Sequence, residues 1–109
     1  MYAYILFLYR MLNRDPRFQA VHSMHKTGGL RSFNDIFLYI PKTVVANKLG
    51  KKVDRFNELM SDVGQFTLDE IAFIATLFDI SVKDMNELWL KEYNMQKDSI
   101  TTANKRSLK

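Results

Sequence analysis

The side chains best suited to a chemical role are basic ones that cluster between residues 42 and 55. This stretch has a formal charge of +4, because it sets one acidic residue, Asp54, against Lys42, Lys48, Lys51, Lys52 and Arg55. The stretch that follows, residues 56–93, has a charge of −6. Basic groups gathered at one end of a folded unit attract polyanions such as nucleic-acid phosphates. The charge pattern therefore predicts a phosphate-binding surface.

Two short helices joined by a tight turn must hold these basic side chains. The segment is KTVVANKLGKKVDRFNELM, residues 42–60, and Gly50 supplies the backbone freedom that its turn requires. The second helix is predicted from about Val53 to Ser61. The apolar positions that face inward are Val45, Ala46, Leu49, Phe56, Leu59 and Met60. Two such helices form a helix-turn-helix, whose second helix lies in the major groove of DNA.

Further helices are predicted from their start and stop signals. The start signals are Asp15 before Pro16, Ser32 with Asp35, Thr67 with Glu70, and Ser81 with Asp84. The stop signals are Gly28-Gly29 and Pro41. The buried faces are predicted to hold Phe18, Val21, Phe33, Ile36, Phe37, Ile40, Leu68, Ile71, Ile74, Ala75, Phe78, Val82, Met85, Leu88 and Trp89. The pattern predicts an all-α domain of five or six helices over residues 15–93.

The two ends of the chain differ from this domain. Residues 1–14 form an apolar extension, which is too short to span a membrane and lacks the features of a signal peptide. It is an extra strand or helix, a self-association element, or a stretch upstream of a functional start at Met24. Residues 94–109 are polar with a charge of +3, and they are predicted to be a disordered basic tail.

The residues for catalysis or metal binding are few. The chain has no cysteine, which excludes disulfides and thiolate metal sites and fits a cytoplasmic protein. His22 and His25 are three residues apart, but no acidic or cysteine ligand lies nearby, so they are predicted to be ordinary, partly buried histidines. Asp69 and Glu70 are adjacent, as expected for carboxylates at a helix start. No enzymatic activity and no cofactor are predicted.

From Ser32 to about Tyr93 the chain resembles the helix-turn-helix domains of the Cro and lambda-repressor-like superfamily, the XRE family. The resemblance rests on Val45-Ala46, Leu49-Gly50, Phe56, Leu59 and the stretch FTLDEIAFIATLFDIS from Phe66 to Ser81. The stretch GGLRSFNDIFLYIPKTVVANKLG further resembles small bacterial regulators with a phenylalanine-rich first helix. The resemblance implies a lambda-repressor-like bundle whose second motif helix reads base edges.

The resemblance also implies roles for individual residues. Arg55 would pair with guanine, Asn57 with adenine, and Val53 would contact a thymine methyl group. The phosphate contacts would come from residues near the start of either motif helix: Lys42, Thr43, Lys51 and Lys52. The remaining exposed residues of the second helix are Asp54, Glu58 and Ser61.

Two features depart from the family pattern. Lys51 stands where an apolar turn residue is usual, and Lys52 replaces the usual capping Ser, Thr or Asn. Either the turn is looser than in the family, or a lysine stem covers the gap in the core while its ammonium reaches solvent. The carboxylates of Asp54, Glu58 and Asp62 on or beside the second helix disfavour tight binding to phosphates.

The sequence therefore predicts a cytoplasmic transcription regulator that binds double-stranded DNA sequence-specifically, acts as a homodimer, and involves neither a membrane nor a small-molecule ligand. The alternative is a helix-turn-helix fold retained as a protein-interaction module, antitoxin-like or an accessory partner, with weak or no DNA binding. A helical domain with a purely structural role is the third hypothesis.

Overall fold

Short-range polar contacts start the helices where the sequence predicts. The computed structural model of the chain describes residues 15–107, with side chains described for residues 15–99. Asp15 caps the first helix by accepting a hydrogen bond of 2.9 Å from the backbone N–H of Arg17. Thr67 and Glu70 form the predicted reciprocal capping box. The Ser81 hydroxyl accepts from the Asp84 N–H at 3.1 Å. These three starts are confirmed.

Five α-helices and two short 3₁₀ helices make up the regular structure of the described residues. In chain order they are α1 (Pro16–Lys26), the first 3₁₀ helix (Phe33–Leu38), α2 (Lys42–Lys48), α3 (Val53–Ser61), the second 3₁₀ helix (Val63–Gln65), α4 (Leu68–Leu77) and α5 (Val82–Ser107). The predicted all-α class is confirmed over this range. None of these helices is long and apolar enough to cross a membrane.

Three of the helices end in the same backbone arrangement, the Schellman motif. The residue after the C-cap has a positive φ in each case: 79° at Gly28 after α1, 71° at Gly50 after α2, and 52° at Asp79 after α4. The next N–H then bonds to a carbonyl five residues back: Gly29 to Met24 at 2.8 Å, Lys51 to Ala46 at 2.9 Å, and Ile80 to Ala75 at 3.0 Å. The chain therefore reverses within a few residues at each of these points.

A closed ring of four phenylalanines lies at the centre of the core. Their centroids are 6.0 Å apart for Phe33–Phe37, 5.6 Å for Phe37–Phe56, 5.9 Å for Phe56–Phe66 and 5.5 Å for Phe33–Phe66. All four pairs meet edge to face, which is the favoured geometry for aromatic contacts. Since Phe56 belongs to α3, the ring fixes that helix to the first 3₁₀ helix and to the segment before α4.

Helix α5 packs against α4 and the first 3₁₀ helix and supplies polar groups to the ends of other elements. The buried Glu92 carboxylate accepts from the Ser32 hydroxyl at 2.9 Å and from the Asn34 N–H at 3.0 Å. The Ser32–Asp35 capping box is therefore wrong. The Ser32 hydroxyl is donated to Glu92, and Asp35 accepts from the Arg31 N–H instead.

Three other expectations differ from the structure. Leu68 and Val82, predicted to be buried, are 78% and 47% exposed. Each is the first residue of its helix, where the chain has only begun to turn toward the core. The break in regular structure predicted after Tyr93 is absent, because α5 continues to Ser107 and Gln96 is hydrogen-bonded to the end of α3. The predicted N-terminal extension, residues 1–14, lies outside the described residues.

Candidate nucleic-acid interface

Helices α2 and α3 form the predicted pair of short helices joined by a tight turn. Helix α3 has the predicted bounds, Val53–Ser61, and buries Phe56, Leu59 and Met60. Helix α2 buries Val45 and Ala46, while Leu49 packs partly buried against the core. The other side of α3 faces solvent, so this surface is open to a partner.

The exposed face of α3 carries most of the predicted base-contacting residues. The exposed side chains on α3 and at its N-cap are Lys52, Asp54, Arg55, Asn57, Glu58 and Ser61. Within the part of the chain that the structure describes, the Asn57 amide makes no hydrogen bond, so its donor and acceptor are available to an external group. Val53 is partly buried because it packs against the core.

Arg55 is held by a neighbour on the same face. One guanidinium nitrogen, Nη1, lies 3.0 Å from Glu58 Oε2, and half of the Arg55 side chain remains exposed. The pair spans one turn of α3, and its i,i+3 spacing is the signal in the sequence that could have identified it. Ser61 donates its hydroxyl to the Glu58 carbonyl oxygen at 2.8 Å. A base contact by Arg55 therefore has to compete with Glu58.

Lys51 is directed toward α4. Its Nζ lies 2.7 Å from Glu70 Oε2, and both side chains are largely buried. Burial raises the pKa of the Glu70 carboxyl, but the hydrogen bonds from Lys51 and from the Thr67 backbone outweigh it, so that pKa lies below its ordinary value. The pairing explains how a lysine is accommodated at an apolar turn position. The phosphate contact predicted for Lys51 stays a prediction.

Three other lysines lie at the helix ends of the two-helix unit and have no such ion-pair partner among the described residues: Lys42 and Lys48 at the two ends of α2, and Lys52 at the N-cap of α3. Thr43, on the first turn of α2, is exposed beside them. Ammonium groups without a carboxylate partner are suited to contacts with phosphates.

Lys48 was not among the predicted contacts, although its place in the basic stretch is a signal that could have identified it. It lies near the start of α1. Hydrogen bonds from Arg17 lower the pKa of the Asp15 carboxyl to about 2, and the charge of Lys48 contributes a smaller part of that effect. The basic surface thus extends from α2 toward the N-terminal end of α1.

The two histidines have separate partners. His22 Nδ1 lies 3.1 Å from the Phe78 carbonyl oxygen, and His25 Nε2 lies 3.8 Å from Asp84 Oδ2. No group of three or more histidine, aspartate or glutamate side chains among the described residues is placed to hold a metal ion. Both histidines are partly buried, as predicted.

Comparison with known proteins adds no assignment to this surface. No family model, curated protein or solved structure matches the chain. The interface is therefore defined by its own geometry and charge.

Proposed function

We propose that this chain is a sequence-specific regulator of transcription that binds double-stranded DNA by placing α3 in the major groove. One observation carries the proposal. Helix α3 buries one side in the core and exposes the other, Lys52 stands at its N-cap, and Lys42 and Lys48 lie at the two ends of α2; none of the three lysines forms an ion pair among the described residues. A helix with an open polar face and lysines nearby suits a groove lined by phosphates.

The contacts follow from where each side chain lies. Asn57 and Arg55 project from the exposed face of α3, and their amide and guanidinium groups match the edges of adenine and guanine. Lys42, Thr43, Lys48 and Lys52 would hold the flanking phosphates and so set the register of the helix. The resemblance to the lambda-repressor-like superfamily supports this arrangement. It also supports a homodimer on two half-sites about one DNA turn apart.

A titration of labelled genomic DNA fragments by fluorescence anisotropy, repeated over a range of salt concentrations, tests the proposal. Binding should weaken steeply as salt rises, because bound lysines release counterions from the DNA. Lys52→Ala should weaken binding to all fragments alike. Arg55→Ala should reduce the preference among fragments, by about 1–3 kcal/mol if the contact is bidentate. Lys83→Ala, at an exposed position in the first turn of α5, is the matched control and should leave binding unchanged.

A second candidate, a protein-interaction module built on the same two helices, is favoured by the charge of α3 itself. The helix carries Asp54 and Glu58 against a single cation, Arg55, and that cation is already paired. Such a face suits a protein partner better than a phosphate backbone. Failure of the protein to retain any DNA fragment at low salt would favour this candidate and reject the regulator.

A further inference from the structure

Helix α5 crosses the C-terminal end of α3 and is fixed there by side-chain hydrogen bonds. The Gln96 amide donates from Nε2 to the Met60 carbonyl oxygen at 3.0 Å and accepts at Oε1 from the Val63 N–H at 3.0 Å. The Trp89 indole N–H donates to the Val63 carbonyl oxygen at 2.7 Å. Because these bonds join α5 to the chain that leaves α3, the position of residue 97 relative to α3 is well defined.

Lys97 follows Gln96 and lies beside the last residue of α3. A shallow cavity of about 240 Å³ is lined by Ser61, Asp62, Tyr93, Gln96 and Lys97. The Lys97 Nζ sits 5.4 Å from the centroid of the Tyr93 ring, which is itself stacked on Trp89. Cation–π contact holds the ammonium on this surface without cancelling its charge. Among the described residues Lys97 forms no ion pair with a carboxylate.

The length of α3 brings both of its ends near a DNA backbone. The helix has nine residues, which corresponds to about 13 Å. The major groove is about 12 Å wide. Where a helix of this length crosses the groove at an angle, each of its ends comes within side-chain reach of a phosphate strand. Lys52 stands at the N-terminal end and Lys97 beside the C-terminal end, so the two lysines are suited to opposite sides of the groove.

The formal charge of the C-terminal half of α5 also favours contact with a phosphate. Residues 94–107 carry Lys97, Lys105 and Arg106 against Asp98, a formal charge of +2, and all of them belong to one continuous helix. Asp62 in the same cavity opposes this charge, and its carboxylate accepts a hydrogen bond from the Gln65 amide at 3.1 Å. The cavity therefore places one cation, Lys97, and one carboxylate, Asp62, next to Ser61.

We propose that Lys97 binds a DNA phosphate at the C-terminal end of α3, so that α5 forms a second contact with the DNA backbone. The inference rests on the proposed DNA binding. It makes the part of α5 around Lys97 belong to the interface. It also assigns opposite effects to the two charged side chains of the cavity: Lys97 strengthens DNA binding and Asp62 weakens it.

The test is the salt dependence of binding to one retained DNA fragment, measured for the full-length wild type, Lys97→Gln and Lys97→Arg. Loss of one phosphate contact should reduce the slope of log affinity against log salt by about 0.9. Between 50 and 200 mM salt, the affinity of Lys97→Gln should then fall about 3.5-fold less than that of the wild type. Lys97→Arg should keep the wild-type slope, since it keeps the charge.

Two further variants complete the test: one is a control for the loss of any lysine on α5, and the other removes the opposing charge of the cavity. Lys91→Gln removes an exposed lysine elsewhere on α5 and should not change the slope. Asp62→Asn should raise affinity for every fragment. An unchanged slope for Lys97→Gln, in a protein whose binding is weakened by Lys52→Ala, would overturn the inference and leave the regulator standing. If the wild type retains no DNA at low salt, the regulator itself fails and the inference with it.

Discussion

The Lys51 Nζ lies 2.7 Å from Glu70 Oε2, while Glu70 Oε1 accepts a hydrogen bond of 2.9 Å from the Thr67 N–H. One carboxylate therefore joins the turn between α2 and α3 to the N-terminal end of α4. The capping box and the ion pair share this single side chain, so the two-helix unit is anchored to α4 by the residue that also starts α4. An apolar side chain at position 51 would fill the core but could not make this connection.

Replacement of Lys51 by methionine removes the ion pair and keeps most of the side-chain length. We expect Lys51→Met to lower the free energy of unfolding by about 1 kcal/mol, the upper range for a pair of this kind. DNA affinity should fall less than in Lys52→Met, because Lys52 has no carboxylate partner among the described residues. Urea denaturation and anisotropy titrations on both variants measure the two effects. An equal loss of affinity would show that Lys51 leaves Glu70 to contact DNA.

The same ion pair should make stability depend on acidity. Because the pKa of Glu70 in the folded chain lies below its ordinary value of about 4.5, the stabilisation is present above that value and is lost as the pH falls through the folded pKa. The difference in unfolding free energy between wild type and Lys51→Met should therefore be constant from pH 7 to about pH 5.5 and shrink below about pH 4.5. Urea titrations at half-unit pH steps give this curve. A difference that persists undiminished at pH 3 would contradict the pairing.

Neutralising Glu58 should strengthen DNA binding. Glu58→Gln releases Arg55 from its 3.0 Å ion pair and removes a negative charge from the face that would meet the groove. We expect affinity for all fragments to rise by roughly fivefold, equivalent to about 1 kcal/mol, with a stability change below that size. Glu87→Gln, at an exposed position on α5, is the control and should have no effect. A loss of affinity in Glu58→Gln would indicate that Glu58 itself accepts from a base.

Features set by neighbouring residues were predictable from the sequence, and features set by distant residues were not. The starts at Asp15, Thr67 and Ser81 depend on bonds within three residues, and the structure has them. The Ser32 hydroxyl instead donates to Glu92, which is 60 residues away. No local pattern distinguishes a serine that caps its own helix from one that binds a distant carboxylate.

The same limit applies to the candidate interface. The basic stretch and the bounds of α3 could be read from spacing and charge. Which cations are free could be read only in part. The ion pair of Lys51 with Glu70 joins the turn to α4 and depends on the packing of α4, whereas the pair of Arg55 with Glu58 lies within one turn of α3 and its spacing is visible in the sequence. The sequence pattern places Gln96 in a polar tail. Its two hydrogen bonds, to Met60 and Val63, depend on the packing of α5 against the end of α3, which no local pattern reveals.

The turn at Gly50 should tolerate other residues poorly for reasons of backbone conformation alone. Gly50 has φ of 71°, and a Cβ added there would meet no atom within 4 Å. Gly50→Ala should therefore lower the free energy of unfolding by about 1–2 kcal/mol without any steric clash. Gly50→Asn should lose less, because asparagine adopts positive φ more readily. Urea midpoints that shift at constant m-value would report this change, with the exposed Lys48→Ala as the control. Full stability of Gly50→Ala would show that the turn can rearrange.

Gln96 should contribute to stability through both ends of its amide, and a change of pH can test this. Gln96→Leu leaves the partly buried Val63 N–H without its acceptor and should cost about 1–3 kcal/mol. Gln96→Glu keeps that acceptor but turns a carboxylate oxygen toward the Met60 carbonyl, which raises the pKa of the introduced carboxyl in the folded state. The stability of Gln96→Glu should therefore approach that of the wild type as the pH falls from 7 toward 4, because the protonated carboxyl again donates to Met60 and accepts from Val63. Gln96→Leu should show no such recovery. If the difference in unfolding free energy from the wild type is independent of pH for both variants, the hydrogen bond to Met60 contributes nothing to stability.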